Sequence, residues 1–133
     1  MTLYADASVI LKRYVDEPDS DRAIEILASD STLTTARHAI VEVRRNLARV
    51  LSPIDATAVR RTFTNDLTAF AIVELDASTC ELAAAIGEQS GVRTLDALHL
   101  AAARRLGTTL TFATFDIRQA QAARTLGFAV IGA

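Results

Sequence analysis

The chain has 133 residues, half of them apolar, with 14 basic against 16 acidic residues and a net charge of −2. That length fits one domain with a core of its own, and the expectation is a single domain over residues 1–133. Its lone cysteine, Cys80, excludes an internal disulfide framework and a cysteine-rich zinc site, and is read as a small buried or half-buried hydrophobe.

Residues 2–5 form a short apolar strand. A helix is expected over 7–15, with Ile10, Leu11, Tyr14 and Val15 on one side and Pro18 as its stop. Asp19 or Ser20 caps a second helix reaching about residue 28, in which Ala23, Ile24 and Leu27 keep the helical period. Residues 31–35, rich in threonine, read as a second strand. From 36 to 50, Ala36, Ile40, Val43, Leu47 and Val50 recur at helical spacing. Ser52-Pro53 breaks the chain, and residues 55–67 give another amphipathic helix, so the two form a hairpin. Residues 70–75 make a third strand. Asp76 or Ser78 then caps a helix through Leu82, Ala85 and Ile86 that ends at Gly91. Thr94 caps the next helix, which runs through Leu95, Leu98 and Ala102 to Leu106, with Gly107 just past its end. Residues 110–114 are a fourth strand, Asp116 caps a helix ending at Gly127, and residues 129–131 make a short final strand.

Strands that alternate with helices, most of them uninterrupted apolar runs, predict an α/β fold: a parallel, Rossmann-like five-stranded sheet flanked by helices. Ligands of such sheets bind beyond the carboxyl ends of the strands, where the strand order reverses. Asp6 and Asp116 each follow a strand and so fall at such ends. Asp96 opens a helix and Glu42 lies on a helix face. Taken singly, Asp6 and Asp116 also read as helix N-caps, Asp96 as a first-turn charge offsetting the helix dipole, and Glu42 as a partner of Arg45 or Asn46. Taken together, four carboxylates in one crevice repel one another unless a divalent cation neutralises them, and hard oxygen ligands suit Mg2+ or Mn2+. Ser8 and Thr114 are placed to orient these acids or bound water, or serve as ordinary turn hydroxyls. His38 and His99 lack zinc-site spacing and read as partly buried hydrogen-bonding residues, with a ligand role left open.

No stretch has the pattern of a signal peptide, and no apolar run nears the about 18 residues of a membrane span, so a soluble, cytoplasmic protein without membrane contact is expected. Setting the four acids aside leaves 14 basic against 12 acidic residues, and arginine supplies 13 of the basic ones. Arg37, Arg44, Arg45, Arg49, Arg60 and Arg61 cluster on the hairpin, either as a solvated face or as a phosphate-binding surface.

The segment Leu3-Tyr4-Ala5-Asp6-Ala7-Ser8 resembles the N-terminal signature of PIN-domain ribonucleases. Thr94-Leu95-Asp96-Ala97-Leu98-His99-Leu100-Ala101 resembles the third acidic motif of that family, Ala113-Thr114-Phe115-Asp116 the fourth, and Glu42 in Ala39-Ile40-Val41-Glu42-Val43 matches the second. In size the chain is similar to the VapC toxins of bacterial type II toxin–antitoxin pairs. The resemblance implies an Mg2+- or Mn2+-dependent endoribonuclease acting on transfer or ribosomal RNA, a homodimer, and a cognate VapB-type antitoxin. It further implies Asp6, Asp96 and Asp116 as metal ligands with Glu42 completing the site. A dehalogenase-like phosphatase would need a second aspartate where Ser8 stands, and a phosphoreceiver domain a late lysine, whereas the only lysine is Lys12. A noncatalytic PIN-like module that only binds RNA or protein remains the alternative; it implies lost acids, and all four are present.

Overall fold

The computed structural model describes residues 1–29 and 31–133. Five parallel strands lie in the order β3-β2-β1-β4-β5: β1 (Thr2–Ala5), β2 (Thr32–Ala36), β3 (Phe70–Val73), β4 (Thr111–Thr114) and β5 (Ala129–Gly132). Among the described residues seven α-helices and a short 3-10 turn (Leu67–Ala69) connect them: α1 (Ala7–Leu11), α2 (Ser20–Leu27), α3 (Arg37–Val50), α4 (Pro53–Asp66), α5 (Ala77–Ser90), α6 (Thr94–Arg105) and α7 (Ile117–Thr125). The expected α/β sheet is the one observed.

Alternation along the strands builds two cores, because successive side chains point to opposite faces. Leu3, Ala5 and Ala113 face a layer made by α1 to α4 and packed with Val9, Ile10, Ala23, Val43, Leu47 and Phe63. Tyr4 and Phe112 face a layer made by α5 to α7, packed with Ala83, Ile86, Leu100 and Phe128. Strands buried on both faces explain the apolar runs in the sequence. Leu3 pairs with Thr111 and Ala5 with Ala113, so β1 and β4 end level with each other. The strand order reverses between them, and that is where a parallel sheet opens a crevice.

Several boundaries differ from the sequence reading. Helix α1 stops at Leu11, well before Pro18; Arg13 and Tyr14 instead donate to the carbonyls of Ile10 and Leu11 in tighter i+3 turns. Asp19 occupies the N-cap position of α2 without capping it, because its carboxylate faces Lys12 Nζ at 3.0 Å. Helix α4 begins two residues early, with Pro53 in its first turn and the Ser52 hydroxyl accepting from the Asp55 amide. Arg93, not Thr94, is the N-cap residue of α6, and no side chain caps that helix. Cys80 is exposed rather than buried, on the outer side of α5 with its thiol near the Leu75 carbonyl.

Candidate active site

A cleft of about 230 Å3 opens at the carboxyl ends of β1 and β4, and its walls carry Asp6, Glu42, Asp96 and Asp116 together. Ser8 and His99 also line it, and so do four residues not singled out from the sequence as site residues: Ala7, Leu11, Asn46 and Arg93. Carboxylates from four separate helix starts and faces therefore share one small opening.

Asp6 follows β1 and caps α1, its Oδ1 accepting from the Ser8 amide at 3.1 Å and the Ser8 hydroxyl at 2.6 Å. The Ser8 hydroxyl in turn accepts from the Phe115 amide at 3.0 Å and lies 3.5 Å from the Thr114 hydroxyl, which accepts from the Asp116 amide at 3.1 Å. Ser8 and Thr114 thus lock the end of β1 to the end of β4 and fix two of the acids. Asp6 is only 4% exposed, and burial pushes its carboxyl up, against the pull of His99 and of the Ser8 and Thr114 hydroxyls.

Asp116 caps α7 through Oδ1, which accepts from the Gln119 amide at 3.1 Å, while its Oδ2 lies 3.4 Å from the Arg93 guanidinium. Asp96 Oδ2 lies 3.4 Å from the same guanidinium. Burial raises the Asp96 carboxyl; Arg93 opposes this and the Asp116 charge adds to it. Gln119 is fully buried and donates to the Asp96 carbonyl at 3.1 Å, so one residue of α7 ties the backbone of α6 to the Asp116 cap.

Glu42 comes from the other layer. It does not pair with Arg45, and Asn46 donates to its backbone carbonyl at 2.9 Å rather than to its side chain. Its Oε1 instead accepts from His99 Nε2 at 2.7 Å, and His38 Nε2 stands 3.7 Å away. The Tyr4 hydroxyl lies 2.6 Å from His99 Nδ1, and burial, with the Asp6 charge adding, holds that phenol well above its ordinary range. The His99 ring is thus held on both sides, with Nδ1 against the Tyr4 hydroxyl and Nε2 against Glu42. His38 Nε2 donates to the Leu95 carbonyl at 3.1 Å, and burial, reinforced by His99, lowers its imidazole to about 4. The two histidines are buried, hydrogen-bonded groups that join α3 to α6 across the top of the sheet.

Two donor sets are available to a metal. His38, Glu42 and His99 bring ligand atoms within 4.8 Å of one another. Both nitrogens facing that point carry hydrogens already committed to Glu42 and Leu95, so a cation there would have to break both bonds. In the carboxylate set the capping bonds fall on Oδ1 of Asp6 and Asp116, while Oδ2 of Asp96 and of Asp116 faces the Arg93 guanidinium, which a cation there would displace. Burial raises both the Asp6 and the Asp96 carboxyls, and among the described residues Arg93 is the one guanidinium lining the cleft beside four acids, so a hard divalent ion would add the positive charge this cluster lacks. The chemistry of this donor set fits such an ion.

A family model described as PIN domain matches residues 3–125, and the chain belongs to that family. It is 35% identical over 130 residues to Ribonuclease VapC46 of Mycobacterium tuberculosis, covering 97% of this chain and 95% of that protein. Its backbone is similar to that of FitAcB from Neisseria gonorrhoeae, with a TM-score of 0.77 at 22% identity over 97% of this chain and 96% of that one. A chain of the toxin–antitoxin complex from Klebsiella pneumoniae shares the fold, with a TM-score of 0.65 at 16% identity and 87% coverage of each chain.

Proposed function

We propose that the chain is the toxin of a type II toxin–antitoxin pair, a metal-dependent endoribonuclease that hydrolyses phosphodiester bonds of transfer or ribosomal RNA. The observation that carries the reading is the sharing of one cleft by Asp6, Glu42, Asp96 and Asp116. Asp6, Asp96 and Asp116 would hold Mg2+ or Mn2+, with Glu42 completing the site directly or through water. When bound, such an ion supplies positive charge to a nonbridging phosphate oxygen and lowers the pKa of an attacking water. His99 holds the Glu42 carboxylate toward the cleft, and Ser8 and Thr114 hold Asp6 and Asp116 in register. Water adds to phosphorus, the bond from phosphorus to the 3′-oxygen breaks, and the products carry a 5′-phosphate and a 3′-hydroxyl.

The α3–α4 hairpin suits a VapB-type antitoxin. A groove of about 560 Å3 between the two helices is floored by Ile40 and Leu47 and flanked by Arg44, Arg45 and Arg60. Val41, at 67% exposure in the groove wall, and Ile54, at 83% beside it, present apolar surface to solvent. The Klebsiella pneumoniae neighbour, a toxin–antitoxin complex, and the relative named a ribonuclease support this reading. A homodimer in the cytoplasm belongs to the same proposal; among the described residues no helix is long and apolar enough to cross a membrane. The same single PIN domain is proposed to span residues 1–133.

The test is cleavage of total RNA by the purified chain, freed of its antitoxin, with Mg2+ and with a chelator. The expected outcome is 5′-phosphate ends that appear only with the metal and vanish in Asp6→Asn, while that variant keeps its fold by circular dichroism. Undiminished cleavage by Asp6→Asn would remove the mechanism.

A further inference from the structure

We propose that a second hollow, which shares Arg93 and Asp96 with the carboxylate cleft, is a nucleotide subsite that holds the base and ribose of the RNA residue beside the scissile phosphate. The proposal rests on the ribonuclease reading above and extends it from the bond cut to the residue recognised.

The hollow measures about 550 Å3, more than twice the cleft, and lies between the end of α5, the turn into α6 and the outer face of α7. Volumes of this size accommodate one nucleotide-sized ligand. Arg93 and Asp96 line both spaces, so a strand whose phosphate sits at the carboxylates places a neighbouring residue in the hollow. Ile86, 5% exposed, together with Val92 and Leu126, belongs to the core beneath α5 and α7 and gives the hollow an apolar back wall.

The rim has the opposite character. Arg118 and Gln121 stand exposed on consecutive turns of α7, and Gln89 faces them from α5. Arg118 has no carboxylate partner among the described residues, whereas Arg93 already lies 3.4 Å from both Asp96 and Asp116. Primary amides both donate and accept, as the edges of nucleobases do, and a guanidinium plane stacks on a base or pairs with a phosphate. Asp96 is the only carboxylate of the lining, and it is shared with the cleft. An apolar wall, two amides, a free guanidinium and access to the cutting site together describe a pocket for an unstacked nucleotide. Single-stranded RNA is read in such pockets, with its bases splayed out.

The test joins two measurements on the full chain. First, AMP, GMP, CMP and UMP are titrated with Mg2+ into the 15N-labelled protein. Saturable amide shifts at Gly91, Val92, Gln121 and Ala122, larger for one base than for the others, are expected. Second, cleavage of single-stranded RNA of random sequence is followed for Gln121→Ala and Arg118→Ala, with Arg22→Ala on α2 as control. A KM raised about fivefold, kcat within about twofold, and a flattened base preference at one position beside the cut are expected for the first two, and none of these for the control. If the wild type cuts RNA while Gln121→Ala and Arg118→Ala cut with the same KM and base preference, the subsite is overturned and the ribonuclease reading stands. If the wild type cuts no RNA, the ribonuclease reading falls and takes the subsite with it. Amides of the hollow that respond to protein concentration and not to nucleotide would mean that a second copy covers it, which also overturns the proposal.

Discussion

Asp6 and Asp116 each divide their two oxygens between jobs: one caps a helix and the other does not, and in Asp116 that second oxygen faces Arg93. Capping and metal binding looked like rival uses of these aspartates, and a sequence shows which residue stands at a strand end, not where each of its oxygens goes. Burial that pushes the Asp6 carboxyl up also has a cost for stability. The folded-state pKa lies above the unfolded one, so stability is lost as pH rises through the interval between them and stays lost at pH 7. Asp6→Asn keeps an oxygen for Ser8 and removes the buried charge. In metal-free buffer at pH 7 the variant is expected to melt about 3–5 °C higher than the wild type, equivalent to on the order of 1 kcal/mol. A scanning-calorimetry Tm equal to or below the wild type's would contradict that cost.

The histidines were the part of the site least readable from the sequence. Two isolated imidazoles have no motif, and only the packing of α3 on α6 brings His99 to Glu42. Tyr4, which reads as an apolar strand residue, proves to hold the Nδ1 side of the His99 ring. Tyr4→Phe is expected to lower kcat for RNA about tenfold with KM little changed, because the His99 ring that donates to Glu42 loses the hydroxyl that holds its other side. An unchanged kcat would show that the relay is structural only. His38 carries a separate signature. Its imidazole is lowered from 6.5 to about 4, so the unfolded chain takes the proton first as pH falls, and stability present above about pH 6.5 is lost toward pH 4. Urea denaturation at pH 7 and pH 5 should show the wild type losing on the order of 1 kcal/mol more than His38→Gln over that range; equal losses would count against a neutral buried His38.

Among the elements, the strands and the longer helices were legible because most of the strands are short apolar or β-branched runs, as buried parallel strands require, and helices keep a 3.6-residue period. Helix α1 was not, because Tyr14 and Val15 continue the apolar pattern although the backbone has already tightened into i+3 turns. The apolar pattern records what is buried, not which hydrogen bond the backbone makes. Nor did it show that Arg93 would serve both Asp96 and Asp116, although an arginine three residues before an acid at a helix start was a usable signal. The end of β5 imposes a sharper constraint. Gly132 has φ +108°, and a Cβ there would run into the Thr114 carbonyl at the end of β4. Gly132→Ala is expected to cost about 2 kcal/mol and to weaken cleavage, since Thr114 sets the Asp116 amide. Wild-type stability in that variant would mean that β5 can shift without disturbing β4.

For the whole molecule, the resemblance of the four acidic motifs identified the family, and the PIN-domain match over residues 3–125 shows it. What no motif gave was the three-layer junction, where Glu42 arrives from one face of the sheet and Asp96 from the other to meet above β1 and β4. The net charge of −2 hides this arrangement: acids concentrate in the cleft while Arg44, Arg45 and Arg60 ring the hairpin groove. The most direct measurement of the central claim is the anomalous scattering of Mn2+ in crystals of the wild-type chain. The expected result is a peak about 2.0–2.3 Å from carboxylate oxygens of Asp6 and of Asp96 or Asp116, lost in Asp6→Asn crystals. A peak seated instead between His38 and His99, or no peak at saturating Mn2+, would contradict it.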